Sequence, residues 1–408
     1  MQNLPPDSRR ANAADQKPRL TAVPGKPQDP VFVGSEVYRR AAFGSNHPLR
    51  IVRHAAVMDM ARIMGWLTDR NFRAAEPASI DKLTEFHDPG YVAALKAADA
   101  SGRVEAQIRS KYCIGTLENP LFAGLFERAA MTVGGSILAA SLALGGRTAF
   151  HPSGGTHHGR RDRASGFCYF NDPVFAIRTF IENGCERVLY VDLDAHHGDG
   201  VEIAFASEPR VTTVSIHEEN RWPYTGSANS SRRGICNLPV PKGFNDSELD
   251  WLMRHTILPL ARDWEPDALV LCCGADCLAG DPLSGMQLSN LAMWTAVLDL
   301  LALRVPTVVL GGGGYNPWTV SRYWAGLWAR INGLQIPDTL PAAATELLAD
   351  MESELVDDDE IEARWLSTIA DEPSAGPVRE AVKSVGEVAF SKAAHGVGYE
   401  GGAGHAVA

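Results

Sequence analysis

One stretch constrains this chain more than any other: Tyr190-Val-Asp-Leu-Asp-Ala-His-His-Gly-Asp199. It continues an apolar run that begins at Arg187 (RVLYVDLD), which reads as a buried β-strand. Side chains alternate faces with period two along a strand. Asp192, Asp194 and His196 therefore project together, while Val191, Leu193 and Ala195 go the other way. Two carboxylates and an imidazole on one face of a buried strand are costly unless something cationic compensates them. A divalent metal is the natural compensator, because Asp and His are both zinc ligands. The alternative is a salt-bridged structural cluster.

The surrounding sequence repeats the strand signal. Strand-like runs start at Val31 (VFVGSEVY), Thr148 (TAFH), Val211 (VTTVSI), Ala268 (ALVLCC) and Pro306 (PTVVLGGGG). Helical spacing appears from Leu121, Val201, Ser247 (with Ser as its N-cap), Leu291 and Thr319. Strands separated by helices predict an α/β domain around a mostly parallel, buried sheet. The chain has 408 residues, 45% hydrophobic and 21% charged, enough for a large core and unlike a collagenous, disulfide-stapled or disordered chain. The simplest partition is a disordered tail over 1–29, a catalytic domain over 30–335, an acidic helical extension over 336–394 and a flexible Gly-rich tail over 395–408.

Charge and cysteine usage narrow the function classes. The formal net charge is −11, but nine acids and no bases fall between Glu346 and Ala363, so only about −2 belongs to the rest. There is no basic excess to drive direct nucleic-acid binding. No uninterrupted apolar run of about 18 residues is present, so no membrane span is expected. The seven scattered cysteines read as reduced thiols, and with no secretory signal visible the expected location is the cytoplasm.

Three further polar segments follow predicted strands, where open parallel sheets build their ligand sites. Gly274-Ala-Asp-Cys-Leu-Ala-Gly-Asp-Pro282 offers Asp276 and Asp281, either of which could be a further metal ligand; Asp-rich turns are also ordinary helix caps. Gly154-Gly-Thr-His-His-Gly159 offers adjacent His157 and His158, suited to general acid–base work. Gly311-Gly-Gly-Gly-Tyr315 implies close backbone approach, with a phenol just after it; it lacks the spacing of a nucleotide loop.

Taken together, these segments resemble the zinc-dependent histone deacetylases and their bacterial relatives, including acetoin-utilisation-type deacetylases, histone-deacetylase-like amidohydrolases and acetylpolyamine amidohydrolases. The resemblance runs from about Val31 to Ile331. It includes HPLRIVR at His47, ENPLFAGLF at Glu118, PSGGTHHGRRDRASGFCYFND at Pro152, VDLDAHHGDGV at Val191, GADCLAGDPL at Gly274 and GGGGYN at Gly311. It implies the arginase–deacetylase fold, a central, mostly parallel eight-stranded sheet flanked by helices. It also implies roles. Asp194, His196 and Asp281 would hold Zn²⁺, with Fe²⁺ as the alternative metal. His157 and His158 would be the catalytic pair, backed by Asp192 and Asp199 respectively. Tyr315 would hydrogen-bond the substrate carbonyl. Gly166, Phe167 and Trp222 would line the acyl-lysine tunnel. A structural K⁺ would sit on Asp192, Asp194, His196, Ser215 and Ile216, and Arg53 would stand beside a product-release channel. Glu118 stands where relatives usually carry a rim Asp that grips substrate backbone. Trp222 stands where many have Phe or Pro. His197 is left over and reads as a packed structural histidine.

The implied activity is removal of acetyl, or a related short acyl group, from protein lysine side chains; the alternative is an acetylated polyamine or another small N-acyl amine. The expected partners are correspondingly an acetylated protein or peptide, or an acetylated polyamine. Two Asp and one His would neutralise a divalent metal formally, so a histidine pair would be needed as general base. A binuclear manganese ureohydrolase of the arginase type would need an Asp-x-Asp pair on a late strand, which GADCLAGDP does not supply. A silent acyl-lysine-binding protein is a reading from another class, and the intact site residues argue against it.

Overall fold

The computed structural model of the protein describes residues 29–44 and 47–395. The tails expected over 1–29 and 395–408 lie outside the described residues, apart from Asp29 and His395. Eight strands form one sheet: β1 (Val31–Gly34), β2 (Phe72–Ala74), β3 (Thr148–His151), β4 (Val188–Asp192), β5 (Val211–Glu218), β6 (Ile235–Val240), β7 (Ala268–Cys272) and β8 (Thr307–Leu310). Their order is β2-β1-β3-β8-β7-β4-β5-β6, and every pairing is parallel. Parallel pairing puts all the strand C-termini at one edge. The segments after β3, β8, β7, β4 and β5 therefore emerge side by side.

The inner strands are buried on both faces, as their apolar runs require. Along β4, Leu189 and Val191 join a core with Trp324, Trp328 and Leu271, while Val188 and Tyr190 join the opposite core with Ala176, Ile177 and Val270. The alternation persists past the strand end, since Leu193 and Ala195 stay in the first core. That leaves Asp192, Asp194 and His196 on the other side, the arrangement the period of two predicts. Each fully buried Val or Leu contributes about 1.5–3 kcal/mol. The tryptophans of helix Pro317–Ile331 are tied in as well: Trp324 Nε1 donates to Cys273 O at 2.8 Å and Trp328 Nε1 to Trp66 O at 2.9 Å.

Three local expectations need correction. The strand from Val31 stops at Gly34, because Ser35 accepts from Val37 N (3.3 Å) and starts a short 3₁₀ turn, Glu36–Arg39. The helix expected from Ser247 is capped by Asn245, whose side chain accepts from Ser247 N and Glu248 N while Glu248 reaches back to Asn245 N, a reciprocal capping box. The acidic extension is helical only at Ala342–Ala349 and Glu380–His395. Between them the acids sit in exposed turns and short 3₁₀ pieces, because like charges without nearby bases disfavour helix. The extension nevertheless packs on the body: Trp365, Ile369 and Val382 are buried in the main core. Among the described residues, no helix is long and apolar enough to cross a membrane.

Candidate active site

Five adjoining strand ends converge on one volume. The loop after β3 carries His157 and His158, which are buried with ring centroids 3.9 Å apart. His157 Nδ1 lies 2.7 Å from Asp192 Oδ2 at the end of β4. His158 Nδ1 lies 2.9 Å from Asp199 Oδ1, in the first turn of helix Asp199–Phe205. Each Nδ1 is taken by a carboxylate, which turns Nε2 of both rings the other way; that of His157 lies 3.8 Å from Asp194 Oδ1. The two carboxylates differ in what else they hold. Asp192 Oδ2 accepts the Tyr190 hydroxyl (2.6 Å), whereas Asp199 Oδ2 is ion-paired with Arg160 Nη2.

That difference appears in proton affinity. Burial lowers His157, but Asp192 and Asp194 overcome it and carry the group up to about 9. Burial and the neighbouring His157 charge push His158 down to about 4, against the pull of Asp199. The two imidazoles thus prefer different charge states side by side.

Below them the carboxylates crowd. Ligating atoms of Asp194, His196 and Asp276 lie within 4.8 Å of one another, and His196 Nδ1 is 2.8 Å from Asp276 Oδ2 and 3.3 Å from Asp194 Oδ1. Asp281 flanks the group, accepting from Tyr315 N at 2.7 Å and Leu283 N at 2.9 Å. Burial and Asp276 raise Asp281 to about 7; burial and Asp194 raise Asp276. His196 is driven up to about 10, the Asp194 and Asp276 hydrogen bonds outweighing burial. Two buried carboxylates thus crowd one imidazole and raise its proton affinity. A divalent cation bound through oxygen and imidazole nitrogen fits this donor set. Among the described residues Asp194 is common to both groups of candidate ligands, His157–Asp194–Cys272 and Asp194–His196–Asp276; Asp281, the ligand implied by resemblance, falls outside both and stands on the Tyr315 side.

The glycine run after β8 makes the crowding sterically feasible. Gly313 N donates to Asp194 Oδ2 at 2.6 Å, and a Cβ on Gly313 would lie 2.0 Å from Asp276 Oδ2. Gly312 has φ +152°, a conformation glycine tolerates. Tyr315 follows, 7% exposed, its ring 6.0 Å from that of Phe167. Trp222, after β5, stands 4.6 Å from the His158 ring and covers Gly166, where a Cβ would lie 2.3 Å from the indole. A mouth of about 440 Å³ is lined by Glu118, Gly166, Phe167, Trp222, His158 and Tyr315. A smaller cavity of about 90 Å³ continues inward past His157 and Asp194 to Arg53, which donates to Gly312 O (2.9 Å) and Gly314 O (3.1 Å).

The remaining expected residues sit as follows. Glu118 Oε2 accepts from Asn119 Nδ2 at 3.1 Å, so its carboxylate is partly engaged at the rim. Ser215 is directly opposite Asp192 in the β4–β5 register, with Ile216 next, so the five groups assigned to K⁺ lie on two adjoining strand ends. His197 is buried and bonded to Thr225 Oγ1, Glu202 Oε2 and Asn237 Oδ1, as a packed histidine would be. Sequence reasoning missed Tyr190 behind Asp192 and Arg160 behind Asp199. The Arg-Arg pair two residues past His158 was the only available signal for the second.

Comparison with known proteins bears on this geometry. A family described as "Histone deacetylase domain" matches residues 47–331. The acetoin utilization protein AcuC of Bacillus subtilis is 32% identical over 77% of this chain and 85% of its own length. Histone deacetylase 8 of Xenopus tropicalis is 31% identical over 76% of this chain and 86% of its own. Among solved structures, an HDAC homolog from Aquifex aeolicus superposes with a TM-score of 0.85 at 33% identity, covering 89% of this chain and 100% of that one. An HDAC homolog complexed with SAHA superposes with a TM-score of 0.84, also at 33% identity.

Proposed function

This chain belongs to the histone deacetylase family and is a deacetylase; from that premise we propose that it is a zinc-dependent amidohydrolase acting on acetylated lysine side chains of proteins. The observation that carries the reading is the pairing of two unlike histidines with a crowded carboxylate cluster at the bottom of one mouth.

Asp194, His196 and Asp276 would hold the zinc, since their ligating atoms lie within 4.8 Å of one another, while Asp281 has its two oxygens on Tyr315 N and Leu283 N beside them. When bound, zinc would supply Lewis-acid polarisation of the amide carbonyl and of a water molecule. His158, kept neutral by burial and by His157, takes the water proton at Nε2. His157, kept protonated by Asp192 and Asp194, gives a proton from Nε2 to the leaving amine. The Tyr315 hydroxyl donates to the carbonyl oxygen as negative charge develops there. Burial holds that phenol far above its ordinary range, so it stays a donor at any working pH. Phe167 and Trp222 flank the lysine methylenes and exclude water, and Glu118 faces the substrate main chain. Asp192, Asp194, His196, Ser215 and Ile216 would hold a K⁺ that stiffens the β4 and β5 ends.

The test is acetate release by zinc-loaded protein from an acetyl-lysine peptide and an acetylated polyamine, with Tyr315→Phe as control. Faster turnover of the peptide, lost in the variant, supports the reading. Faster turnover of the polyamine would move the enzyme to small-molecule amines.

A further inference from the structure

The two histidine–carboxylate pairs look alike until the second carboxylate oxygen is followed. Besides His157, Asp192 takes neutral donors: Asp194 N at 3.2 Å on the second oxygen, Oδ1, and the Tyr190 hydroxyl at 2.6 Å on the Oδ2 that faces His157. Asp199 is held by a cation: Arg160 Nη2 pairs with Oδ2, and Nη1 donates to the Asp199 backbone oxygen at 3.3 Å. The same residue is thus gripped at its side chain and its main chain.

The stretch that presents Arg160 is itself fixed. Asn171 Nδ2 donates to His157 O (3.2 Å) and Gly159 O (2.9 Å), spanning the histidine pair. His87 Nδ1 donates to Arg160 O (2.9 Å), and its Nε2 accepts from Asn171 N (3.1 Å). The Arg160 side chain is 15% exposed, and its buried Nε has no acceptor. An orphaned donor is a cost that a purely stabilising arginine would avoid. Nη1 and Nη2 each send a hydrogen bond to Asp199.

We propose that Arg160 is a positioning residue for deacetylation: its guanidinium fixes the Asp199 carboxylate, and Oδ1 of that carboxylate fixes the His158 ring with Nε2 toward the substrate. The inference rests on the deacetylase reading and adds a residue to it. Arg160 touches neither substrate nor metal ligand; it acts through Asp199. A planar fork suits the task better than a point charge, because it engages two oxygens of one residue.

The test is a kinetic comparison of zinc-loaded wild type, Arg160→Gln and Arg160→Lys on an acetyl-lysine peptide, with thermal melting of each. Partners one step removed from reacting groups typically matter by about 10–100-fold. Arg160→Gln is expected to lower kcat by roughly that factor with KM held. Arg160→Lys is expected to recover part of the loss. A folded Arg160→Gln protein with wild-type kcat, or one whose loss lies in KM, would overturn the proposal. Should Arg160→Gln not fold, Arg160→Lys decides: lowered kcat at unchanged KM supports it, and unchanged kcat overturns it. Absence of turnover in the wild type would overturn the underlying reading, and is seen before any variant is made.

Discussion

Two regions bury charge in opposite ways. Where the C-terminal extension meets the body, each buried charge has its counterpart. Arg322, fully buried, pairs with Asp371 at 2.7 Å and donates to Thr368 O, and Glu248 takes Arg379 at Nε and Nη2, each at 2.6 Å. At the strand ends, Asp194 and Asp276 crowd the His196 imidazole, with no arginine or lysine among the clustered groups. Paired charges fasten a segment. Unpaired like charges cost stability and persist only where something else makes use of them. The difference separates structural from functional ionic groups without reference to any relative.

The largest expected effect breaks the functional side alone. Asp276→Asn should lower kcat by about 1,000-fold or more, at least about 4 kcal/mol of barrier. The melting temperature of the metal-free protein should hold or rise, because a carboxyl raised by burial and by Asp194 costs the fold at neutral pH. Kinetics and calorimetry on one preparation check both halves. Next, Arg322→Ala should do the reverse, destabilising by about 3–5 kcal/mol in urea while the folded fraction keeps its kcat. A catalytic loss there would erase the distinction. Tyr315→Phe should cost about 100- to 1,000-fold in kcat with little change in KM, the usual size for one oxyanion donor. The smallest effect is a pH dependence. Arg379 outweighs burial and holds Glu248 below its ordinary 4.5. A depressed carboxylate contributes stability that is full above 4.5 and is lost as pH falls through the lower folded value. The stability gap between wild type and Glu248→Gln should therefore be constant near neutrality and close in that acid window, as acid titration of unfolding will reveal.

Much of the site was legible because its residues sit on the regular part of the fold. The alternation that sends Asp192, Asp194 and His196 one way and Leu193 and Ala195 the other follows from strand geometry. His157–His158 and Gly311–Tyr315 were legible as strand-end segments, and the parallel order makes those ends neighbours. What escaped was fixed by tertiary contacts. β2 is three residues long and part-exposed, and β6 contains Pro239, which only an edge strand tolerates; both are edges, with weak patterns of their own. Asp276 and Asp281 share one turn, and spacing cannot say which carboxylate meets His196; in the structure Asp276 lies nearer its Nδ1. Arg160 carries no signal beyond its charge until the chain brings Asp199, far along the sequence, to meet it. Asn245 took the capping role from Ser247 because Glu248 stands three residues after it and can reach back.

The central claim is that the crowded carboxylates are a cation site on which deacetylation depends. The most direct measurement strips the protein with chelator and follows acetate release from an acetyl-lysine peptide while zinc is returned stepwise. The account predicts negligible release at the start and a rise that levels near one zinc per chain. Full activity before any metal is added, or none at any zinc level, would contradict it.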